Sequence, residues 1–432
     1  MNSLTQLKEI RTLPLLIALP LVALATPAAA QEQHPDQVLE WNQIFIDTLI
    51  ATNTANSSSQ RLGAIVHTAI FDAYNGIERR YTPVFVTQSA PSGASRRAAV
   101  IAAAHRALVV LFPLQQPTLD ASYAASLAAL SDDGEDGGKS RERGITWGTQ
   151  VAQAVLAWRA SDGFNASYPP FFGGTATGQW RPTLPAFAQM SAQGLAFTAM
   201  FVLNNNTQFR PGPPRGLLSE TYTDDFNAVK ALGRNTGSTR TEEQTALALF
   251  WDGNASTHWN QAANQMARAN NLSLSDSNRL LAVLNIAMAD TAFTTWSGKR
   301  SYGADPNVVT WRPVTSIPLA DSDDNPDTVP DPDWLPLINT PAHPEYPAGH
   351  PSLNGVAATV LLSHFDDEQT FTLTTIGRPS HTYTSITRAR SDGNAARVWG
   401  GMHYPSTVEI SDAEGEAIAY YVDANSMQLL RR

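Results

Sequence analysis

Apolar residues recur at helical spacing along most of the chain. Within Gln60–Ile77 they fall three or four positions apart, and Val38–Ala51, Ala94–Leu111 and Ser273–Trp296 show related patterns. Ser352–Phe365 consists mostly of small or apolar residues, which is typical of a buried helix. Alternating patterns that would indicate strands are sparse. We therefore predict an all-α fold with long loops.

The helical pattern stops between residues 161 and 220, where proline, glycine, asparagine and aromatic residues dominate. Tyr168-Pro169-Pro170-Phe171-Phe172 is one example. This composition indicates a long ordered connection that is packed by its own aromatic side chains. We take it as a boundary between two packed helical bundles. The N-terminal bundle and its linker would occupy residues 31–215, and the C-terminal bundle would occupy residues 216–432.

The first 30 residues have the pattern of an export signal. Lys8 and Arg11 precede an apolar run over Leu13–Ala25, and Ala28-Ala29-Ala30 supplies small residues for cleavage. A membrane anchor is less favoured, because the run is short and contains two prolines. No later stretch is apolar enough to span a bilayer. We therefore expect a secreted or periplasmic protein without a membrane span after cleavage.

Composition narrows the classes of function. The formal net charge of −10 argues against a broad nucleic-acid-binding face, so we expect no nucleic-acid partner. The chain has no cysteine, which excludes disulfides, thiolate metal sites and a cysteine nucleophile. Cationic groups that converge on one pocket would stand out against this acidic background.

Three sequence clusters supply such cationic groups. Lys299 and Arg312 form the first cluster, the proline-rich segment 341–350 forms the second, and Arg397 with His403 forms the third. Segment 341–350 leads into the predicted buried helix, whose first amides would attract an anion. Arginine and lysine side chains add charge-assisted hydrogen bonds. The set is suited to holding a tetrahedral oxyanion.

Arg397 and His403 need a bend in the chain to meet. Six residues separate them, which leaves them about 120° apart around one continuous helix. Gly400-Gly401 lies between them and permits such a bend.

The order of these residues resembles a known pattern. Vanadium-dependent haloperoxidases, type 2 phosphatidic acid phosphatases and acid phosphatases share Lys, a gap, Arg-Pro, then Pro-Ser-Gly-His, then Ser-Arg and a histidine. Lys299, Arg312-Pro313, Pro347–His350 and Arg397 with His403 follow it in order. The resemblance to secreted bacterial haloperoxidase-like members extends to Trp41-Asn42, Arg61–Asn75, Phe209-Arg210-Pro211, Phe250-Trp251-Asp252 and His258-Trp259-Asn260.

The resemblance implies roles for individual residues. His403 would bind vanadium through a ring nitrogen, or would attack phosphorus in a phosphatase. His350 would be the acid–base group, and Asp252 would pair with Arg397. The implied cofactor-binding residues, which would neutralise the oxygens of vanadate or phosphate, are Lys299, Arg312, Gly349, Arg397 and His403.

Other residues bear on the pocket. His343 corresponds to a histidine of algal bromoperoxidases, which favours bromide or iodide over chloride. A backbone-bonded loop histidine is the alternative for His343. Trp296 and Trp311 are candidates for the pocket lining, with an ordinary core position as the alternative.

This sequence departs from the family pattern at several positions. The gap between Lys299 and Arg312 is longer than usual, so Arg300 is an alternative for the lysine role. Ala348 replaces the usual serine, which removes a hydroxyl contact. Thr407 replaces an aspartate that orients the histidine, so another carboxylate or a carbonyl must do this.

We retain three hypotheses for function. The first is a vanadium-dependent haloperoxidase that uses hydrogen peroxide to oxidise a halide to hypohalous acid, which then halogenates a small organic acceptor. The second is a phosphatase that works through a phosphohistidine, since phosphate can occupy the vanadate site. The third is a non-catalytic helical protein that binds an oxyanion. A zinc site of His343, Glu345 and His403 is disfavoured, because the nearby cations oppose a dication.

Overall fold

A computed structural model describes residues 36–130 and 138–431 of the chain. Helices dominate this part, which confirms the predicted all-α class. The predicted export signal, residues 1–30, lies outside the described residues. No single described helix is long and apolar enough to cross a membrane. One pair bent by 118°, Arg96–Leu111 with Pro113–Ala128, passes the same length and composition criteria only when it is joined.

The elements follow one another in a simple order. The described helices before residue 215 are α1 (Gln37–Ala51), α2 (Asn56–Glu78), α3 (Arg96–Leu111), α4 (Gln116–Ala128) and α5 (Lys139–Arg159). Those after it are α6 (Glu220–Gly233), α7 (Glu242–Phe250), α8 (Ala255–Ala269), α9 (Leu274–Ala304), α10 (Pro313–Ser316), α11 (Gly349–Leu362), α12 (Ile386–Trp399) and α13 (Pro405–Asn425). Between α11 and α12, strands β1 (Phe371–Leu373) and β2 (His381–Tyr383) pair antiparallel, with Phe371 opposite Tyr383. Short 3₁₀ turns lie at Pro113–Gln115, Gln193–Phe197 and Ala320–Ser322.

Of the five predicted helical segments, three differ from the observed bounds by at least three residues. The helix α2 begins at Asn56, four residues before the predicted Gln60. The helix α9 continues beyond Trp296 to Ala304, so Lys299 lies inside a helix. Glycine at position 298 of α9 leaves room for the Pro347 ring, since a Cβ there would lie 2.9 Å from Pro347 Cδ. The helix α11 begins at Gly349, three residues before the apolar stretch from which we predicted it.

One large core contains side chains from both predicted bundles. Most of α9 is buried, and α2, α11 and α13 pack against it. The main cluster of buried apolar residues extends along the chain from Val38 to Met427. A smaller cluster around Phe226 and Trp334 lies between α6 and the loops of the C-terminal part. The predicted division at residue 215 remains a prediction.

Buried charges anchor the long connection between α5 and α6. Asp290 of α9 accepts the three successive amides of residues 201–203 at 2.7 to 3.0 Å. Arg159, at the end of α5, donates to the carbonyls of residues 199–200. Arg61 and Arg159 both pair with Asp162. The connection is therefore ordered by specific hydrogen bonds as well as by its aromatic residues.

Glycine permits the close approach of α11 and α13. A Cβ on Gly415 would lie 2.0 Å from the carbonyl oxygen of Ser352, and one on Gly355 would lie 2.2 Å from that of Asp412. Backbone therefore meets backbone at this contact. The contact sets where the N-terminus of α11 lies relative to the start of α13.

We predict that Gly415→Ala destabilises the protein by about 3 kcal/mol, because the added methyl group forces the two helices apart. The free energy of unfolding in urea measures this. Gly216→Ala is the matched control, since a Cβ at Gly216 would meet nothing within 4 Å. Equal stabilities of the two variants would contradict the assigned helix contact.

Candidate functional site

Most of the predicted site residues line one cavity of about 310 Å³ in the C-terminal part, whereas Lys299, Arg312 and Trp311 do not line it. The walls come from the end of α9, segment 341–350, the last turn of α12 and the α12–α13 connection. Among the predicted residues, those that line the cavity are Asp252, Trp296, His343, Gly349, His350, Arg397 and His403.

The bend between Arg397 and His403 exists as predicted. The helix α12 ends at Trp399, Gly401 takes a left-handed φ of +76°, and α13 begins at Pro405. A Cβ at Gly401 would also lie 2.7 Å from the carbonyl oxygen of Gly233. Glycine is therefore required for both its conformation and its close packing. The bend turns His403 toward the same cavity as Arg397.

His403 is held through both ring nitrogens. Nδ1 lies 2.8 Å from Glu345 Oε1, and Nε2 lies 3.0 Å from Nη1 of Arg312. Since a guanidinium only donates, Nε2 must accept, and we assign the proton to Nδ1. Burial, followed by the charges of Arg312 and Lys299, holds the pKa of His403 well below its usual range. The ring is therefore neutral, with a lone pair on Nε2.

Glu345 is the functional residue that sequence reasoning missed as an orienting group. Besides His403, it accepts the Tyr404 amide at 3.3 Å and the Thr407 hydroxyl at 3.1 Å. Thr407 thus supports the carboxylate that orients the histidine. Burial raises the pKa of Glu345 to about 7, opposed by the positive charges of Arg312 and Lys299. The sequence feature that could have indicated this role is the position of Glu345 in the proline-rich segment beside His343. We considered Glu345 only as a zinc ligand.

Arg312 is fully buried and almost fully hydrogen bonded. Nε donates to the His343 carbonyl at 3.0 Å, and Nη1 donates to the Met402 carbonyl at 2.8 Å as well as to His403. Nη2 donates to Nδ1 of His343 at 2.8 Å. These bonds use four of the five N–H groups of a guanidinium and leave one on Nη2.

Lys299 is buried next to the cavity but is not among the residues that line it. Lys299 Nζ donates to the carbonyls of Pro344 and Glu345 at 2.8 and 3.0 Å, behind the cavity wall. Arg300 lies over the Phe171 ring at 4.2 Å. Burial and the charge of Arg312 lower the pKa of Lys299 well below its usual value.

Arg397 has an unused donor. Nη1 donates to the Trp251 carbonyl at 3.1 Å, and Nη2 lies 3.5 Å from Asp252 Oδ1, as the predicted pairing requires. Nη2 also lies 3.3 Å from the sulfur of Met402. The buried Nε has no partner. The Nε atoms of Arg210 and Arg300 are likewise buried without a partner, but Arg397 lines the cavity, so its Nε is placed to pair with an acceptor atom there.

The N-terminus of α11 contributes amides. Gly349 is the first residue of this 14-residue helix, and Ala348 provides no side-chain cap. The amide of Ala348 itself donates to Ser411 Oγ at 2.7 Å. A Cβ at Gly349 would lie 3.2 Å from the Trp296 ring. The first amides of the helix are therefore open to an anion.

The two remaining histidines have defined tautomers. His350 Nε2 donates to the Gly253 carbonyl at 3.1 Å, which leaves the lone pair on Nδ1. His343 Nδ1 lies 2.8 Å from Nη2 of Arg312, which can only donate, and 3.2 Å from the Pro344 carbonyl, which can only accept. We assign Nδ1 as the acceptor from the closer Arg312, which places the proton on Nε2. Burial, with Lys299 for His343 and with Arg397 for His350, holds the pKa of each well below its usual range. Both rings are therefore neutral.

The structure corrects one predicted pocket residue. Trp311 is fully buried in the cluster around Tyr222 and donates from Nε1 to the Tyr222 hydroxyl at 3.0 Å. It therefore takes the core position that was its alternative, because the loop between Lys299 and Arg312 turns its ring toward α6. Trp296 does line the cavity, with its ring 5.2 Å from that of His343.

A second buried carboxyl lies behind the helix α11. Glu414 of α13 accepts from Ser352 Oγ at 3.0 Å and from Thr295 Oγ1 at 3.3 Å. Its other oxygen is buried without a partner. Burial raises the pKa of Glu414 to about 8.

These donors fit an oxyanion better than a metal cation. The open amides of α11 and the Nε of Arg397 belong to residues that line the cavity, and Arg312 adds positive charge from behind its wall. The lone pair on Nε2 of His403 accepts from Arg312, so a ligand on Nε2 would take the place of that hydrogen bond. Among the described residues, no group of three histidine, aspartate or glutamate side chains is placed to hold a metal ion. Vanadate and phosphate each match the donor set.

The chain is similar to known proteins in part of its sequence and in its fold. Residues 279–432 match the family model for the VCPO second helical-bundle domain. A crystal structure of the first bacterial vanadium-dependent iodoperoxidase is similar over 92% of this chain and 98% of its own, at 21% identity and a TM-score of 0.78. A search of curated protein sequences finds no match.

Two further structures are similar. The holo-type structure of a bacterial vanadium-dependent chloroperoxidase covers 85% of this chain and 92% of its own, at 18% identity and a TM-score of 0.67. The apo-type structure of a bacterial vanadium-dependent chloroperoxidase covers 86% of this chain and 95% of its own, at 18% identity and a TM-score of 0.65. These matches confirm the predicted helical-bundle fold, and the family model assigns residues 279–432 to the VCPO second helical-bundle domain.

We predict that Glu345→Gln lowers the ratio of vanadate to phosphate affinity by about 10–100-fold. The amide no longer fixes the proton on Nδ1 of His403, and a proton on Nε2 blocks a bond to vanadium. Loss of a negative charge does not weaken phosphate binding. Calorimetry with each anion, and nitrogen NMR of His403, measure these effects. Thr407→Val, which keeps the Glu345–His403 bond, is the control, and an unchanged ratio in Glu345→Gln would exclude the orienting role.

Glu414 predicts a pH dependence of stability. Its folded pKa of about 8 is above the ordinary value of 4.5, so the folded state binds this proton more tightly than the unfolded state. The contribution of protonated Glu414 to the free energy of unfolding is fully present below pH 4.5, and it is lost as the pH rises to about 8. Glu414→Gln should flatten the fall in unfolding free energy across this window, whereas Glu409→Gln, an exposed change on the same helix, should not. Identical pH curves for Glu414→Gln and the wild type would contradict this.

Proposed function

We propose that this chain, which has the fold of the vanadium haloperoxidase superfamily, is a vanadium-dependent haloperoxidase. It would use hydrogen peroxide to oxidise bromide or iodide to hypohalous acid, which then reacts with a small organic acceptor. The observation that carries the proposal is the neutral His403, fixed by Glu345 on Nδ1 with the Nε2 lone pair among buried cations.

The proposed cofactor, vanadate, would be held by this chain's own donors. His403 Nε2 would be its protein ligand, and the oxygens would accept hydrogen bonds from Arg397, Arg312 and the Gly349 amide, with Lys299 adding positive charge. When bound, vanadate activates peroxide for a two-electron oxidation. The protein contributes a preorganised set of donors in a site that largely excludes water.

His350 would act as the acid–base group. Its Nε2–H is fixed on Gly253, so a proton from peroxide would be taken at Nδ1. The ring is unprotonated before this step, because burial and the nearby Arg397 disfavour its charged form. A neutral acceptor within the cavity is what the proton transfer requires.

The halide would lie against His343 and Trp296. The proton of His343 is on Nε2, which offers an N–H donor to an anion, and the indole ring adds an apolar wall. A large, weakly hydrated anion such as bromide or iodide suits this mixed surface better than chloride. Export after removal of residues 1–30 belongs to the same proposal, and N-terminal sequencing of the protein from culture medium or periplasm tests it.

The decisive assay compares two reactions on the purified protein. With vanadate and peroxide, the protein should oxidise bromide or iodide, and His403→Ala should reduce the rate by about a hundredfold or more, since it removes the vanadium ligand. His105→Ala, a change far from the cavity, should keep the wild-type rate. Hydrolysis of a phosphate ester without vanadate is measured in parallel. No halide oxidation after vanadate loading, together with His403-dependent hydrolysis, would establish the phosphatase instead.

A further inference from the structure

Met402 contacts both guanidiniums of the site. Its sulfur lies 3.3 Å from Nη2 of Arg397, and its backbone carbonyl accepts from Nη1 of Arg312 at 2.8 Å. The residue is 1% exposed to bulk solvent, yet it lines the cavity beside His403. The side chain therefore faces the space in which the proposed reaction takes place.

We propose that Met402 is an oxidation site, and that its sulfoxide weakens oxyanion binding through Arg397. The oxidant is hypohalous acid, so the physiological source of the modification rests on the proposed function. The effect of the sulfoxide on Arg397 does not, because the oxidant can be added from outside.

The chemistry balances with hypohalous acid as the named oxidant. The thioether sulfur attacks the halogen of hypohalous acid, which forms a halosulfonium ion and releases hydroxide. Water then displaces the halide from sulfur and loses both of its protons, which leaves the sulfoxide. One of these protons combines with the released hydroxide to form water. The net change is thioether plus hypohalous acid to sulfoxide plus halide plus a proton. Sulfur loses two electrons, and the halogen gains them.

Position distinguishes Met402 from the other methionines. The chain has no cysteine to react first. Met266 and Met288 are fully buried in the main core, and Met200 is partly exposed elsewhere. Among the described methionines, Met402 lines the cavity. An oxidant released in the cavity meets its sulfur before it reaches the solvent.

The sulfoxide changes the donors that hold the oxyanion. A thioether is a weak acceptor, whereas a sulfoxide oxygen is a strong one. The new oxygen would take an N–H of Arg397 permanently, and it would add a polar atom to a cavity of about 310 Å³. An entering oxyanion would then lose part of its contact with this guanidinium.

The deciding experiment adds one equivalent of hypobromous acid to the cofactor-free protein. The tryptic peptide that begins after Arg397 contains both Met402 and Met427. Its mass alone cannot distinguish them, so tandem mass spectrometry is used to locate the sulfoxide. Calorimetry then measures binding of inorganic phosphate and of vanadate. We expect a sulfoxide at Met402 and anion affinities that are on the order of tenfold weaker, which is the loss of about one charge-assisted hydrogen bond.

Two variants separate this effect from general damage. For each protein the quantity compared is the affinity after treatment divided by the affinity before it. Met402→Leu should keep this ratio near one, whereas Met266→Leu should show the same loss as the wild type. Persistent loss in Met402→Leu would assign the effect to another residue, such as Trp296, and would overturn the proposal. An unmodified Met402 beside oxidised core methionines would also overturn it.

A turnover experiment tests the source of the oxidant. With vanadate, peroxide and bromide, Met402 should be oxidised before the more exposed Met200, because hypobromous acid arises next to it. Oxidation of Met200 first would show that the oxidant acts from bulk solvent and would overturn this part. Absence of bromide oxidation would sink the proposed function, while the result with added hypobromous acid would still decide the role of Met402.

Discussion

The hydrogen bond between Glu345 and His403 is the interaction on which the site depends. It joins two parts of the chain that are 58 residues apart, the proline-rich segment before α11 and the turn between α12 and α13. It also fixes which ring nitrogen has the lone pair, because Nδ1 must donate to the carboxylate. Arg312 approaches the opposite nitrogen and fixes the ring plane. Without Glu345, the imidazole would keep the contact with Arg312 on one side only, and its Nδ1–H would have no carboxylate acceptor.

Buried cations give the site a positive charge that a bound oxyanion would balance. Lys299, Arg312 and Arg397 are each at most 2% exposed, although the whole chain is acidic. Removing such charges from water is unfavourable unless hydrogen bonds and opposite charges replace the water. Backbone carbonyls and two carboxylates, Glu345 and Asp252, do this in part. The buried Nε of Arg397 has no partner. An anion in the cavity would accept a hydrogen bond from this N–H.

The packing of three helices gives the site its rigidity. The helix α9 carries Lys299, α11 presents its first amides, and α13 follows His403. Gly298 makes room for the Pro347 ring on α9, and Gly415 lets α13 touch the backbone of α11. Donors on separate helices therefore keep their mutual distances without side-chain adjustment. A preorganised site of this kind does not have to reorient its dipoles when charge develops.

The sequence alone determined the helical class, most helix positions and the set of cationic residues, because periodicity and residue chemistry are local properties. It also showed that Gly400-Gly401 permits the bend that Arg397 and His403 need to meet, and the structure contains that bend. The tertiary structure decided which side chains face the cavity. Lys299 rather than Arg300 points inward, and Trp311 packs in the core, because a side chain's direction depends on distant packing partners. Glu345 was visible in the sequence, but only contacts across 58 residues identify it as the group that orients His403.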